Sequence, residues 1–398
     1  MWSQRARLRI PLSIAAWTLV GIAGWVGIVV IAAQLASSVP PRAGDDLRLL
    51  LDAATRWREG ATLYVAVPAN GALVAEGLFY SYPPLVAQVL VPLAALPFGI
   101  ALGVWGAGAF VGLSAVARRL GRMGRGVTLQ AVALAAFVYP FAIALLFGNL
   151  NAWFPLVFGL ILLAVLSPGR GSAITGGIAL AIASVTKLHP ATLCAWLLAR
   201  RWRDGSDGPS GRILAVAVAG ALGLFAASLA VGGIGPWADY LAFLTGGATR
   251  ADLVSPLNIG PASQIALGLQ LSEATARAIQ VPVTLAALAA SVAAGRLLRD
   301  PVASFGVATI ASLVALPVTW FHYPVALLPV AIAAATRADR AARPATAVAL
   351  FAAAAIAGLA IVAPVVLWVA VAFVQLAVHV SRPRGTLSLE ASGLPAIA

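Results

Sequence analysis

Acids, cysteine and lysine are all scarce in this sequence, and each scarcity excludes something. Asp and Glu together number 13 in 398 residues, and charged residues of both signs make up only 10% of the chain. A water-soluble globule of this length could not cover its surface with so few polar groups. The single cysteine, Cys194, cannot close an internal disulfide and has no companions at metal-ligand spacing. There is no Walker loop, no dinucleotide fingerprint and no metal-binding pattern of convincing spacing. No cofactor is therefore expected, and an activated substrate would arrive already built.

What the sequence has instead is apolar length. The chain is 61% hydrophobic with a mean hydropathy of +0.97. Several stretches run for the roughly 18 or more uncharged residues that cross a bilayer as a helix. The expected fold is an all-α polytopic membrane protein of about 11 to 13 crossings, read as one domain over 1–398 with no internal repeat. Spans are expected near 11–35, 84–118, 127–147, 150–167, 173–187, 190–201, 211–232, 276–297, 301–319, 323–336, 344–363 and 366–380. The first is too long for a signal-peptide core and is read as retained. Pro92 and Pro97 interrupt 84–118, which predicts a short helix followed by an angled one, since proline removes a donor and clashes with the preceding turn. Segments 173–187 and 190–201 are short and meet at "KLHP" (187–190); such breaks persist in a membrane where protein or a polar cavity covers the freed backbone.

The formal charge of +13 does not indicate a nucleic-acid partner, because the basic residues come in small clusters between apolar runs. Their spacing sets orientation instead. Clusters at Arg5–Arg9, Arg118–Arg125, Arg170, Arg200–Arg212, Arg296–Arg299, Arg337–Arg343 and Arg382–Arg384 lie on one side by the positive-inside rule. Both termini are then expected in the cytoplasm, and two loops, 36–83 and 233–275, on the outer side.

Five of the 13 acids (Asp45, Asp46, Asp52, Glu59, Glu76) crowd into the first outer loop. Read as a helix, Leu47, Leu50, Leu51, Ala54 and Trp57 form one apolar face. Arg48, Asp52, Arg56 and Glu59 form a solvated stripe of i,i+4 pairs, and Asp45 caps the helix or joins that stripe. Asp46 falls beside Leu50 and Trp57, at the edge of the apolar face; it is either the helix N-cap or a carboxylate that meets a polar cavity, since that position is otherwise costly.

Other candidates are more scattered. Lys187 is the only lysine among 26 basic residues and lies deep in an apolar stretch; it either binds an anion as a compact point charge or snorkels. His189, two residues on, stands in the helix break. His322, in "TWFHYP" (319–324), is an acid/base or phosphate-binding candidate, with Trp320 and Tyr323 read as an aromatic belt. Tyr80 and Tyr82 in "YSYPP" (80–84) either anchor the chain at the interface or line a cavity. Asn149 and Asn151 in "FGNLNAW" (147–153) can bind sugar hydroxyls or simply build a Gly-Asn turn. Arg250 and Asp252 are polar loop residues.

Taken in order, Asp46, Ala53-Ala54, Gly60, Leu63-Tyr64, Tyr82-Pro83-Pro84, Pro92-Leu93, Leu96-Pro97, Gly148-x-x-Asn151, Lys187-x-x-Pro190 and Trp320-x-His322 form a pattern that resembles the polyprenyl-phosphate-mannose-dependent mannosyltransferases of the GT-C class. These are the actinobacterial enzymes that build phosphatidylinositol mannosides and lipomannan. The resemblance covers about residues 40–340. It implies a GT-C fold in the plasma membrane, an outward-facing site, a polyprenyl-phosphate hexose donor, and a lipid-linked or glycan acceptor. It also implies that Asp46 is the essential acid, with Lys187, His322 and His189 as ligands of the donor phosphate or its lipid. Asp45, Tyr80, Tyr82, Asn149, Asn151, Arg250 and Asn258 are then sugar or acceptor candidates. Two departures stand out: Leu50 replaces a common tyrosine four residues after the acid, and "SPLNIGPASQ" (255–264) replaces an Asn-Gln-Ser motif. The rival classes are a transporter or flippase of lipid-linked sugars, favoured by the broken helices and buried cation, and a non-catalytic envelope scaffold.

Overall fold

The computed structural model describes residues 43–64, 66–67, 78–122, 140–205, 208–246, 253–255, 258–320 and 322–337, with isolated positions 33 and 37. The expected spans at 11–35, 344–363 and 366–380, most of 127–147, and the residues Glu76, Arg250 and Asp252 lie outside this set.

Helices dominate. In chain order they are α1 (Asp45–Arg58), α2 (Pro84–Ala94), α3 (Phe98–Arg122), α4 (Phe154–Leu166), α5 (Arg170–Thr186), α6 (Thr192–Asp204), α7 (Pro209–Gly232), α8 (Gly235–Gly246), α9 (Pro261–Gly268), α10 (Glu273–Leu297), α11 (Pro301–Val314) and α12 (Leu328–Arg337). Residues 140–147 are also helical. Among the described residues, strands are confined to a two-residue antiparallel pair, Ala66–Val67 with Leu78–Phe79, in the loop 36–83. Proline marks many of the helix starts, at Pro84, Pro155, Pro209, Pro261 and Pro301, where no backbone donor is needed.

Three described helical stretches are long and apolar enough to cross a membrane: Phe98–Leu120, Pro209–Gly232 and Glu273–Leu297. They expose large apolar side chains, including Val104, Phe110, Val111, Leu222, Val231, Val281 and Leu285. In water that would be a liability; against lipid it is the expected outer face of an all-α membrane protein. The centre is different. Shorter α4 and α11 are buried on most sides, with Phe158, Ile161, Leu162, Phe305 and Leu313 fully enclosed, as expected of helices that are apolar all round. Small residues set the close crossings. A Cβ on Gly159 would meet Val116 at 2.3 Å, and one on Gly176 would meet Ala164 at 2.4 Å. In lipid such steric fit, rather than water exclusion, drives helix association.

Several boundaries differ from the sequence reading. The 84–118 run is indeed broken, into α2 and α3. The expected 301–319 span stops at Val314, because Pro317 disfavours helix in its own turn and the one before. Residues up to 320 instead pair with a second segment: Ile259 N donates to Thr319 O at 2.7 Å, and Asn258 bridges Trp320. The segment 233–275, expected as a loop on the outer side, holds two helices, α8 and α9. Segment 323–336 opens as a 3-10 turn, Tyr323–Leu327.

The helix register gives the molecule two chemically distinct ends. On α3 and α4, Gly108 meets Trp153, Gly112 meets Leu156 and Gly159 meets Val116, so the two helices run parallel. The arginine clusters thereby gather at one end: Arg118–Arg122 closing α3, Arg170 opening α5, Arg200–Arg203 closing α6, Arg212 opening α7 and Arg296 closing α10. A partly buried network ties that end together. Arg200 pairs with Asp204 at 3.2 Å, Ser210 donates to Asp204 at 2.7 Å, and Arg203 donates to Leu298 O at 2.5 Å. The sequence candidates cluster at the opposite end.

That opposite end is built on a second apolar cluster, in which Leu47, Leu50, Ala54, Leu63, Tyr80, Val86 and Trp105 pack α1 against α2 and the start of α3. The amphipathic reading of α1 holds, and Leu49 and Ala53 are buried as well. Two details of it do not. Neither Asp45 nor Asp46 caps α1; Gly44 does, in a left-handed conformation with φ 80. Nor do the arginines close contact pairs along the wet stripe. Arg48 lies over the Phe98 ring at 4.0 Å and Arg56 donates to Leu63 O at 3.1 Å, although both charges still act on Asp52. Partial burial nonetheless pushes the Asp52 carboxyl up against the pull of Arg56 and Arg48.

Gly148, with φ 65, combines a left-handed backbone with a close approach, since its added Cβ would sit 2.5 Å from Leu47 Cβ. Gly148→Ala is expected to cost about 2–4 kcal/mol, the left-handed penalty plus overpacking. Gly60, at φ 70 with nothing within 4 Å, isolates the backbone part: Gly60→Ala should cost only about 1–2 kcal/mol. Thermal unfolding of the two variants in detergent measures the difference.

Candidate active site

Two turns interlock to make the site. Gly44 N, just ahead of α1, donates to Leu146 O at 2.7 Å. In return, the turn at Gly148 lies so close to Leu47 that no side chain fits between them. This brings Asn149 against the first turn of α1, where its Nδ2 donates to Asp46 Oδ2 at 2.6 Å. Asp46 also lies at the positive end of the α1 dipole, a setting that favours the carboxylate. The same Asn149 caps the following 3-10 turn: its Oδ1 accepts from Asn151 N at 2.8 Å.

Asn151 carries the chain of contacts onward. It is fully buried, and its Oδ1 accepts from Lys187 Nζ at 3.1 Å. Its Nδ2 has no partner among the described residues. Lys187 stands where α5 ends, in extended conformation, so the side chain leaves the helix and points across the break. Its ammonium lies 3.7 Å from the centroid of Tyr323 and 5.9 Å from those of Tyr82 and Phe154. The charges of Asp46 and Lys187 are close enough to act on one another. An acid and a cation, each held by one arm of the "NLN" turn, thus face a common space.

Behind them lie both histidines. His189 opens the 3-10 turn after Lys187; its Nδ1 is 3.4 Å from Ser312 Oγ and its ring packs on Phe154 and Tyr323. His322 is buried too, with its ring 5.0 Å from that of Tyr323. The charge of Lys187 reaches both imidazoles.

The tyrosines divide. Tyr82 is buried beside Asp46 and Lys187; burial first, then the Asp46 charge, hold its phenol well above the ordinary range, which keeps it protonated. Tyr80 is fully enclosed, donates to Pro83 O at 2.8 Å and accepts from Ala87 N at 2.9 Å. It is a staple at the start of α2 rather than an interfacial anchor, and it touches the site only through the Tyr82 ring at 5.8 Å. Asn258 is also committed to the frame. Its amide donates to Pro317 O and Leu253 O and accepts from Gly260 N and Thr319 N, bracing the segment that leads to His322. Asp45 shares the first turn of α1 and is partly exposed. Arg250 lies outside the described residues.

So the structure brings together Asp46, Asn149, Asn151, Lys187 and Tyr82, with His189 and His322 behind. Sequence reasoning missed Tyr323, read as an aromatic belt residue but buried beneath the lysine. It also missed the stack of Tyr64 on Tyr240 and Phe243, at 5.7 and 5.4 Å, which backs Tyr82 from α8. Nothing in the local pattern of α8 signals that pairing, because it depends on tertiary register. Among the described residues no three His, Cys, Asp or Glu side chains converge as a metal site.

Comparison with known proteins adds one decisive finding. Residues 80–319 match glycosyltransferase family 87. The matched region is well over half of the chain and includes Tyr82, Asn149, Asn151, Lys187 and His189, while Asp46 and His322 flank it. No curated protein matches the chain significantly. A match of that extent decides between the enzyme and the carrier or scaffold readings: the chain belongs to glycosyltransferase family 87, and it is a membrane glycosyltransferase.

Proposed function

We propose that this enzyme transfers a hexose, mannose foremost, from a polyprenyl-phosphate sugar to a hydroxyl of a lipid-linked or glycan acceptor. On this reading it has the GT-C architecture, sits in the plasma membrane and works at the outer face, with inversion at the anomeric carbon. The observation that carries the reading is the pairing of an oriented carboxylate with an ammonium. Asp46 is gripped by Asn149 at 2.6 Å while Asn151 holds Lys187 at 3.1 Å.

The chemistry follows from that pair. Asp46 takes the proton from the acceptor hydroxyl as its oxygen bonds to the anomeric carbon. The bond from that carbon to the phosphate oxygen breaks at the same time, and the electron pair leaves with the polyprenyl phosphate. Charge building on the phosphate is met by Lys187, and the unpartnered Asn151 Nδ2 offers a second donor beside it. Both groups are in place before reaction, so little reorganisation is needed. The gathering of arginines at the far end of the bundle supports an outward-facing site through the positive-inside rule. A lipid donor also accords with the lack of any nucleotide-binding motif in the sequence. His189 and His322 complete the floor beneath the phosphate.

Comparing lipid-linked glycans before and after deletion of the gene tests the substrate class; a missing hexose on one glycan names donor sugar and acceptor together. In purified enzyme supplied with polyprenyl-phosphate mannose, Asp46→Asn is expected to lower kcat by about 10²- to 10⁴-fold; full transfer by this variant would remove the base from the mechanism. Asn149→Ala leaves the carboxylate in place but loses its orienting hydrogen bond. With a bond to a charged group worth about 1.5–3 kcal/mol, kcat should fall by about one to two orders of magnitude. Unaltered kcat in that variant would show that the 2.6 Å contact does not position the base.

A further inference from the structure

We infer that Tyr323 is a positioning residue for Lys187, and that the face of its ring seats the ammonium where a donor phosphate meets it. The inference rests on the reading above, in which Lys187 holds that phosphate.

The geometry singles out this ring. Three aromatic rings surround Lys187 Nζ, but Tyr323 is far nearer, at 3.7 Å against 5.9 Å for Tyr82 and Phe154. A desolvated cation is attracted to an aromatic face, and the gain comes from the π-face rather than from a hydroxyl. The arrangement also leaves the right donors available. An ammonium has three N–H groups; Asn151 Oδ1 takes one at 3.1 Å. The ring offsets part of the cost of holding a charge away from water without using a second N–H in a strong hydrogen bond. A carboxylate in that place would compete with the phosphate, whereas a ring does not.

The ring itself is fixed from several directions. Tyr323 is buried and begins the 3-10 turn Tyr323–Leu327, with its N donating to Trp320 O at 2.9 Å and Pro324 next in the chain. His189 stacks nearly parallel to it at 6.5 Å and 17°, and His322 meets it edge-on at 5.0 Å and 72°. Asn258, through Pro317 and Thr319, braces the segment from which it projects. Tyr323 is therefore held by one part of the chain and Lys187 by another. The cation–π contact joins the Tyr323–Leu327 turn to the end of α5.

Because the chain has one lysine, an amine-selective reagent followed by peptide mass spectrometry reports on Lys187 alone among side chains. The experiment compares full-length wild type, Tyr323→Phe and Tyr323→Leu in detergent, with unfolding temperatures recorded and polyprenyl phosphate as the protecting probe. Tyr323→Phe keeps the ring face and should label at the wild-type rate, to within about twofold. Tyr323→Leu removes the seat and should label several-fold faster. In transfer assays kcat/KM for the donor should fall about tenfold in Tyr323→Leu, be retained in Tyr323→Phe, and show no further loss when Tyr323→Leu is added to Lys187→Ala. Equal losses in the Phe and Leu variants would overturn the inference by assigning the effect to the hydroxyl. Unchanged labelling in Tyr323→Leu, or an additive loss in the Lys187→Ala background, would overturn it as well. If polyprenyl phosphate fails to slow labelling of wild type, the phosphate assignment of Lys187 falls, and the seating role for the donor falls with it. Protection in wild type together with an unaffected Tyr323→Leu would leave that assignment standing and sink the inference alone.

Discussion

Everything at the active end depends on the close approach of two turns, one before α1 and one before the 3-10 turn at Leu150–Trp153. Each turn requires glycine, for two reasons at once. Gly44 and Gly148 each have a left-handed backbone, and an added Cβ on either would meet Phe98 or Leu47 inside van der Waals contact. With the side chains absent, Gly44 N reaches Leu146 O, and Asn149 is delivered to Asp46. The geometry of the proposed site is thus a by-product of backbone packing. The two residues that most constrain it carry no functional group.

The pair of asparagines converts that packing into electrostatic order. A carboxylate and an ammonium in an apolar surround attract strongly, and left to themselves would close into an ion pair that a substrate has to break. Here each charge has an amide partner: Asn149 for Asp46 and Asn151 for Lys187. The two amides are linked through the Asn149 Oδ1 to Asn151 N bond at 2.8 Å. The amides are dipoles, so they stabilise each charge without neutralising it. In the proposed mechanism this order lets a base and an anion-binding group coexist in one site.

The class of fold was legible because bilayer spans write themselves as long apolar runs, and the proline-broken stretch at 84–118 was legible because proline acts locally. The apolar stripe of α1 likewise follows from period alone, and it placed Asp46 at the edge of the packed face. Capping was misjudged because Gly44 does by backbone conformation what an Asp usually does with its side chain. Arg48 and Arg56 were assigned to neighbours on the same helix, yet each found a partner the helix period cannot show: an aromatic ring in one case and a loop carbonyl in the other. Asn258 and Tyr80 carried the right residue type for sugar binding, but their polar groups are taken up by the backbone. Residue identity marks what a side chain can do; only tertiary register decides what it is used for.

Tyr323 is the sharpest instance. An aromatic near a span end is expected at the membrane interface, where its polar tip meets water. This one is buried, and it owes that position to Pro317. By stopping α11 at Val314, the proline lets the chain turn back as a short extended segment. Ile259 and Asn258 take up the backbone hydrogen bonds that the helix would have made. A residue with no part in the chemistry thereby determines which aromatic ring lies beneath the cation.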